Sequence, residues 1–266
     1  MCSVCKSAAL VVFCAGVACC ANLRVCADPN NMPYSNQSQQ GFENKLAQLV
    51  SHSLGRTLQY VWWPQRQSFL HYTLLARRCD VVMGVTPGAE NMQTTRPYYR
   101  SSFVFIARPD LTPPLHSLDD PRLRRLRIGL HVVGEDYSSV PPGQGLALRG
   151  ITGNIVGFPI YGDYSGANPR APLIDAVAGN KVDVAIVWGP LAGYFARNEK
   201  PPLQITSVIG TSRDKLLPYS IDIAMGVRDG DDDLRRQLDA VIVRRGPEIR
   251  SLLRGYGVPI AERSGQ

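Results

Sequence analysis

The stretch Cys79–Arg108, CDVVMGVTPGAENMQTTRPYYRSSFVFIAR, decides the fold, because it predicts a buried strand, a turn and a crossover strand in one continuous run. The apolar run 81–83 followed by Gly84 is typical of a strand buried on both faces that ends where a side chain would obstruct a cleft. Thr86 then offers a hydroxyl group at the exit of that strand. The β-rich run 103–106 is long enough to carry the chain from one lobe into another. The stretch is typical of the hinge side of a two-domain binding protein, and an ordinary strand-loop-strand of an α/β enzyme is the alternative.

The chain ahead of this stretch alternates strands and helices. Strands are predicted at 23–28 and 57–63, the apolar stripe of a helix at 42–54, and a second helix at 68–77. This order of elements predicts a parallel sheet with right-handed crossovers.

A second α/β series follows the proline-rich segment 109–121, which predicts a linker. Its predicted elements are a strand at 126–132, a helix after Pro142, a strand at 155–161, a helix at 172–178 and a strand at 182–188. A return strand at 219–227 and two amphipathic helices, around 234–242 and 249–256, then close the chain. The predicted domains are a signal peptide at 1–21, the first part of lobe 1 at 22–108, lobe 2 at 109–216, and the completion of lobe 1 with the C-terminal helices at 217–266.

The N-terminal segment has the layout of a secretory signal. A single Lys6 precedes the apolar run 8–17, and small residues follow up to Ala21. The apolar run is too short to be a good membrane span, so we expect a soluble exported protein with no stable membrane span. Acylation of Cys19 or Cys20, which would make a lipoprotein, is the alternative.

Cysteine usage agrees with export. Five of the seven cysteines lie in the predicted signal, so the mature chain keeps only Cys26 and Cys79. These two residues fall on strands that would be neighbours in a doubly wound sheet, close enough for a disulfide. Two buried thiols or a redox pair remain alternatives, whereas two isolated cysteines without neighbouring histidines do not suggest a metal site.

Charge and composition describe a folded, basic protein. The formal net charge is +7, hydrophobic residues make up 44% and charged residues 19% of the chain. Arginine is concentrated at 122–127 and 235–254, which predicts solvated helix faces and faster encounter with an acidic partner. Nucleic acid is not an expected partner, because these runs carry no interleaved stacking aromatics.

Catalytic motifs do not emerge from the sequence. The four histidines stand alone in their segments and none has metal-ligand spacing: His52, His71, His116 and His131. No nucleophile elbow is present, and Asp28 with Asp163 is the only carboxylate pair worth testing. We therefore expect no enzyme activity, no catalytic residue, no metal ligand and no cofactor in this chain.

Several sequence blocks together resemble a known family. The chain resembles the bacterial family-3 periplasmic solute-binding proteins, and more narrowly the quinoprotein methanol dehydrogenase-associated binding-like proteins of the XoxJ and MxaJ type. The blocks that carry the resemblance are LRVCADPNNMPYSN (23–36), GFENK (41–45), WPQ (63–65), CDVVMGV (79–85), TRPYYRS (95–101), YGDY (161–164) and DVAIVWGPLAGY (183–194).

The resemblance implies an α/β fold of periplasmic binding protein type II, with two lobes that each hold a central, mostly parallel sheet and are joined by crossover strands. It implies a non-catalytic periplasmic accessory protein that binds a PQQ-dependent methanol dehydrogenase and assists its assembly or activation. The lanthanide-dependent type of enzyme is favoured, its cytochrome c is a further candidate partner, and PQQ and metal are expected in the partner enzyme only. The alternative is a solute receptor that delivers a small polar ligand to the permease of an ABC importer.

One departure from the family pattern disfavours amino-acid capture. Members that bind amino acids follow the strand with a threonine and then an arginine that grips the ligand carboxylate. Here Thr86 is followed by Pro-Gly-Ala and the acidic Glu90, which would repel a carboxylate. Arg96 and Arg100 are the nearest substitutes, and a structural role at the hinge is the favoured interpretation for both.

Polar and aromatic residues at the strand ends are the candidates for a cleft. They are Asp28, Asn30, Asn31, Tyr34, Thr86, Tyr98, Arg100, Asp163 and Trp188. The alternative for these residues is packing between the lobes. Trp62 and Trp63 are candidates for partner docking, with an anchoring role in the core as the alternative.

Overall fold

The computed structural model describes residues 21–66, 68–132 and 140–262. The predicted signal peptide, except for its last residue Ala21, and the acylation alternative at Cys19 or Cys20 lie outside those ranges. Within them, the chain forms the α/β architecture with two lobes that the sequence predicts.

The described residues form twelve strands, seven α-helices and three short 3-10 helices. The strands are β1 (Asn22–Ala27), β2 (Asn30–Asn31), β3 (Ser35–Asn36), β4 (Thr57–Trp62), β5 (Val81–Val85), β6 (Gln93–Thr94), β7 (Tyr99–Ala107), β8 (Ile128–Val132), β9 (Ile155–Pro159), β10 (Val184–Trp188), β11 (Gln204–Ser207) and β12 (Ser220–Val227). The helices are α1 (Phe42–Leu54), α2 (Phe69–Tyr72), α3 (Pro141–Ala147), α4 (Pro172–Ala178), α5 (Gly189–Phe195), α6 (Asp232–Arg244) and α7 (Gly246–Gly255).

Two sets of parallel strands are joined through β7 and β12. In the first lobe the order is β4-β1-β5, with β12 antiparallel beside β5, and in the second lobe it is β9-β8-β10. The N-terminal half of β7 pairs with β12, from Tyr99 to Ser102, and its C-terminal half pairs with β10, from Phe103 to Ala107. A single strand of nine residues therefore belongs to both lobes, which fixes the hinge.

The first-lobe core forms where α1 covers the sheet. Phe42, Leu46 and Val50 are at most 1% exposed, because they recur along one face of the helix. Gly55 ends the helix in the left-handed conformation, with φ of 62°, which glycine adopts without steric cost. Helices α6 and α7 pack on the same side and complete this core.

The predicted disulfide between Cys26 and Cys79 is present. The two Cα atoms are 5.5 Å apart, and both residues are buried in a cluster on the sheet face opposite α1. Its other members include Phe69 and Leu74. The bridge therefore ties β1 to the residue that leads into β5.

The predicted helix at 68–77 is wrong in its length. Only α2 forms, because Thr73 leaves the helical conformation (φ −120°, ψ −85°) and its hydroxyl donates to the Phe69 carbonyl at 2.6 Å. Turns then bring Leu74 into the core, where it is fully buried. Tertiary burial of Leu74 thus overrides the helical pattern.

Candidate binding cleft

The cleft lies between the lobes, where strands of both sheets end. A cavity of about 200 Å³ is lined by Tyr34 and Thr86 from the first lobe and by Trp188 from the end of β10. Arg170 and His131 add polar groups from the second lobe, and aliphatic side chains form most of the remaining wall. Three of the predicted cleft residues are therefore brought together here.

An adjoining cavity of about 150 Å³ holds an acidic group that the sequence interpretation missed. Glu43, in the first turn of α1, lines this cavity together with Gln65, Gly84 and Arg170. Burial raises the pKa of the Glu43 carboxyl to about 8, while Arg170 opposes the rise and Asp28 adds to it. The cleft therefore contains a carboxyl group that is largely protonated at neutral pH, and a guanidinium group.

Gly84 is required at the wall of this cavity. Its φ of +70° is in the left-handed region, and a Cβ atom there would stand 2.5 Å from Oε1 of Glu43. The glycine predicted to keep a side chain out of a cleft thus makes room for one specific carboxyl group.

Asp28 is committed to contacts within the protein. Its side chain accepts hydrogen bonds from the backbone N–H groups of Asn30 at 2.8 Å and Gln65 at 2.6 Å. The hydroxyl of Tyr164, from the second lobe, donates to the same carboxylate. Asp28 is 2% exposed, so it serves as an acceptor at the lobe interface.

Further contacts close the cleft on the same side. The Asn30 side-chain amide donates to the Gly166 carbonyl at 2.8 Å, across the lobe boundary. The Arg66 guanidinium lies 4.9 Å from the centre of the Tyr164 ring, a distance typical of a cation–π contact. The Tyr164 loop of the second lobe is therefore bound to the first lobe by main-chain and side-chain groups.

The other predicted cleft residues do not line these two cavities. Asn31 is buried and donates to the Gln65 side chain at 2.7 Å. Tyr98 lies in the first-lobe core, with its ring centre 5.0 Å from that of Tyr99. Asp163 is exposed and accepts from the backbone N–H of Ser165 at 2.9 Å, which stabilises its own turn.

The two arginines near the hinge also have positions outside the cavities. Arg100 lies 3.2 Å from Asp222 in an ion pair between β7 and β12, and it donates to the Ser220 carbonyl. Arg96 is exposed, and its backbone N–H donates to Asp239 on α6. Neither arginine replaces the missing carboxylate partner after Thr86.

Arg170 and His131 had no local signal in the sequence. Arg170 follows a turn-rich segment, and its guanidinium lies 6.0 Å from the centre of the Tyr34 ring. Burial, reinforced by Arg170, lowers the pKa of His131 to about 3, so this imidazole is neutral at physiological pH. Of Glu43, Arg170 and His131, only Glu43 had a signal in the sequence, because it lies in the first turn of the predicted helix at 42–54.

The described residues form neither a metal-ligand cluster nor a membrane-spanning helix. In the described parts of the chain, no group of three or more histidine, cysteine, aspartate or glutamate side chains is arranged to hold a metal ion. Within those same ranges, every helix is too short or too polar to cross a membrane.

Comparison with known proteins places the chain in a family. Residues 23–246 match the bacterial extracellular solute-binding proteins, family 3. Protein MoxJ of Methylorubrum extorquens is 33% identical over 253 residues, which cover 90% of this chain and 81% of that protein.

Two solved structures share the whole architecture. The periplasmic binding protein XoxJ from Methylobacterium extorquens AM1 superimposes with a TM-score of 0.74 at 33% identity, over 91% of this chain and 100% of that one. MxaJ from Methlophaga aminisulfidivorans gives a TM-score of 0.78 at 26% identity, over 90% of this chain and 100% of that one. The chain therefore belongs to the family-3 bacterial extracellular solute-binding proteins, in the group that contains MoxJ and XoxJ.

Proposed function

We propose that this protein is a non-catalytic periplasmic accessory protein that binds a PQQ-dependent methanol dehydrogenase and assists its assembly or activation. The lanthanide-dependent enzyme is the favoured partner, and its cytochrome c is a further candidate. PQQ and the catalytic metal belong to the enzyme in this proposal. Similarity to MoxJ and XoxJ along nearly the whole chain supports it.

The state of the cleft is the observation that carries the proposal. A solute receptor needs several convergent polar groups that face the ligand. Here the Asp28 carboxylate and the Asn30 amide form hydrogen bonds with the other lobe instead of facing a ligand. Glu90, three residues after Pro87, is exposed and is no substitute for the arginine that amino-acid-binding members use. The groups at the first strand end therefore hold the lobes together, which favours a role that depends on the outer surface.

Titration calorimetry with the purified methanol dehydrogenase of the same organism tests the proposal, with dye-linked methanol oxidation measured on the same mixture. We expect saturable binding and a change in activity. The enzyme is titrated both with and without its bound metal. Failure to bind in both forms would refute the accessory role.

A solute receptor for an ABC importer is the second candidate, and the cavity lining favours it specifically. Tyr34 and Trp188 form an apolar wall, while Arg170 and Glu43 offer one guanidinium and one carboxyl group. A small polar solute at a hundredfold above its dissociation constant would add about 2.7 kcal/mol and raise Tm by about 5 to 10 °C.

A thermal-shift screen of small polar solutes separates the two candidates. A receptor would lose its ligand-induced shift in Arg170→Ala and keep it in the matched control Arg96→Ala, because Arg96 is exposed and lies outside the cavities. A stabilising solute that depends on Arg170 would support the receptor. If such a solute is found and the protein does not bind the dehydrogenase, the receptor function would replace the accessory role.

A further inference from the structure

The outer edge of β4 is an open strand edge. β4 stands at the end of the first-lobe sheet, and among the described residues no strand lies beyond it. Its sequence, TLQYVW at Thr57–Trp62, contains no charged residue and no proline. Proteins usually protect an open edge with charged residues or proline, because the unpaired backbone groups of the edge can pair with another chain.

The direction of the backbone groups identifies which residues are open. The N–H of Thr57 donates to the Ala21 carbonyl and the N–H of Trp63 donates to the Ala27 carbonyl. The backbone N–H and C=O groups of the odd-numbered residues of this strand therefore point toward β1. Alternate residues of a strand bond to opposite sides. The backbone N–H and C=O groups of Leu58, Tyr60 and Trp62 therefore point outward, away from the sheet.

Aromatic rings flank the open edge on both faces of the sheet. The rings of Tyr60 and Trp62 are stacked with their centres 4.6 Å apart. On the opposite face, the Trp63 ring lies 5.3 Å from that of Tyr72, which is 44% exposed. Large aromatic side chains dominate binding energy at protein interfaces, so an added strand would meet strong contacts on either face.

The chain segment that contains β4 is positively charged. Residues 56–79 contain four arginines and no aspartate or glutamate. Arg66, Arg77 and Arg78 are exposed, and the guanidinium of Arg78 lies 5.6 Å from the centre of the Trp63 ring. An extended segment that pairs here is therefore complementary when it carries negative charge.

We propose that the outer edge of β4 binds an extended, acidic segment of the partner enzyme, which adds to the first-lobe sheet as a further strand. Main-chain hydrogen bonds to Leu58, Tyr60 and Trp62 would supply affinity, and the arginines would select an acidic sequence. The inference rests on the proposed function and names the surface and the kind of segment through which the enzyme docks.

Charge substitutions at Gln59 test the acidic character of the segment. The Gln59 side chain is exposed, so glutamate and lysine can replace it without disturbing the core. In calorimetric titrations with the purified methanol dehydrogenase, Gln59→Glu is expected to weaken binding several-fold and Gln59→Lys to preserve or strengthen it. The control Leu148→Glu places the same charge on the other lobe, at a residue 65% exposed, and should bind as the unmodified protein does.

Two substitutions at Trp62 separate the backbone from the ring. Trp62→Ala removes the ring and keeps the outward N–H, whereas Trp62→Pro removes both and leaves the bonds to β1 in place. The proline variant should bind about fivefold more weakly than the alanine variant, since it lacks one main-chain hydrogen bond. Circular dichroism verifies that each variant is folded.

The possible outcomes distinguish this inference from the proposed function. If the unmodified protein binds the enzyme and the Gln59 variants bind equally well, the edge is not the docking site and the accessory role stands. If the unmodified protein does not bind at all, the accessory role fails and the docking site with it. A dimer of this chain that forms through β4, without any effect of these variants on enzyme binding, would also overturn the inference.

Discussion

Replacing Arg149 by methionine should destabilise the protein strongly, because Arg149 is one partner of a buried ion pair in the second lobe. The side chains of Arg149 and Asp214 are each 2% exposed, and the guanidinium donates to both carboxylate oxygens, at 2.7 and 2.9 Å. It also donates to Asp119 at 2.9 Å and to the Gly145 carbonyl at 2.9 Å. Among these contacts, Arg149 is the only cation that pairs with the buried Asp214 carboxylate, and the substitution removes it.

The magnitude follows from what remains around Asp214. Its carboxylate keeps the backbone N–H of Thr211 at 2.8 Å and the hydroxyl of Tyr219 at 2.8 Å. Burial by itself would raise the pKa of Asp214, yet the hydrogen bonds from Arg149, Thr211 and Tyr219 hold it well below its ordinary value. Removing one partner of a buried pair costs about 3 to 5 kcal/mol, because the other charge is left uncompensated. For a chain of this size, that corresponds to a fall in Tm of about 6 to 20 °C.

Urea unfolding, followed by circular dichroism, measures this loss. The double variant Arg149→Met/Asp214→Leu is the matched control, because it removes both charges and keeps apolar volume; it should recover most of the stability. A loss below about 1 kcal/mol in the single variant would refute the reasoning. So would a double variant as unstable as the single one, since the cost would then come from packing instead of charge.

Three further predictions concern the disulfide, the buried carboxyl group and the closed cleft. Replacing Cys26 and Cys79 by serine opens a loop of 53 residues and should cost about 4 kcal/mol in urea unfolding, and a reductant should lower the unmodified protein to the same stability. The folded-state pKa of Glu43, about 8, exceeds its ordinary value of 4.5, so the folded protein keeps a proton that the unfolded chain loses between these values. Stability should therefore fall as pH rises through that window, and Glu43→Gln should flatten the fall in Tm; an unchanged slope would contradict the assignment. Tyr164→Phe removes the hydroxyl that donates to Asp28 and should increase the radius of gyration in small-angle scattering, whereas an unchanged profile would mean that other contacts hold the lobes together.

The local elements were predictable because their signals are short-range. The helix at 42–54 shows one apolar face and ends at a glycine, and α1 spans the same residues. The helix at 172–178 coincides with α4, and the return strand at 219–227 with β12. By contrast, α5 and β11 were not predicted, since Gly189–Phe195 begins with Gly-Pro directly after a strand and Gln204–Ser207 is only four residues long.

Some of the predicted cleft residues line the cavity and others do not, and the difference has a physical cause. Tyr34, Thr86 and Trp188 line the cavity because strand ends of an α/β sheet converge there. Tyr98 and Arg100 lie on the same crossover segment, but Tyr98, just before β7, packs in the first-lobe core, and Arg100, within β7, stands opposite Asp222 of β12 and pairs with it. Neither residue lines the cavities of the cleft, so their roles in ligand binding stay a prediction.

The sequence by itself determined the main alternation of strands and helices, the pair of cysteines left to form a disulfide after residue 21, and the absence of an arginine directly after Thr86. Each depends on residue spacing or residue identity, which the sequence states directly. Only the tertiary structure decided that Asp28 meets Tyr164, 136 residues away, and that Glu43 lies in a cavity also lined by Arg170. Such contacts depend on how turns orient the two lobes, and the free energy of burying these charged and polar groups is set by neighbours that are distant in the chain.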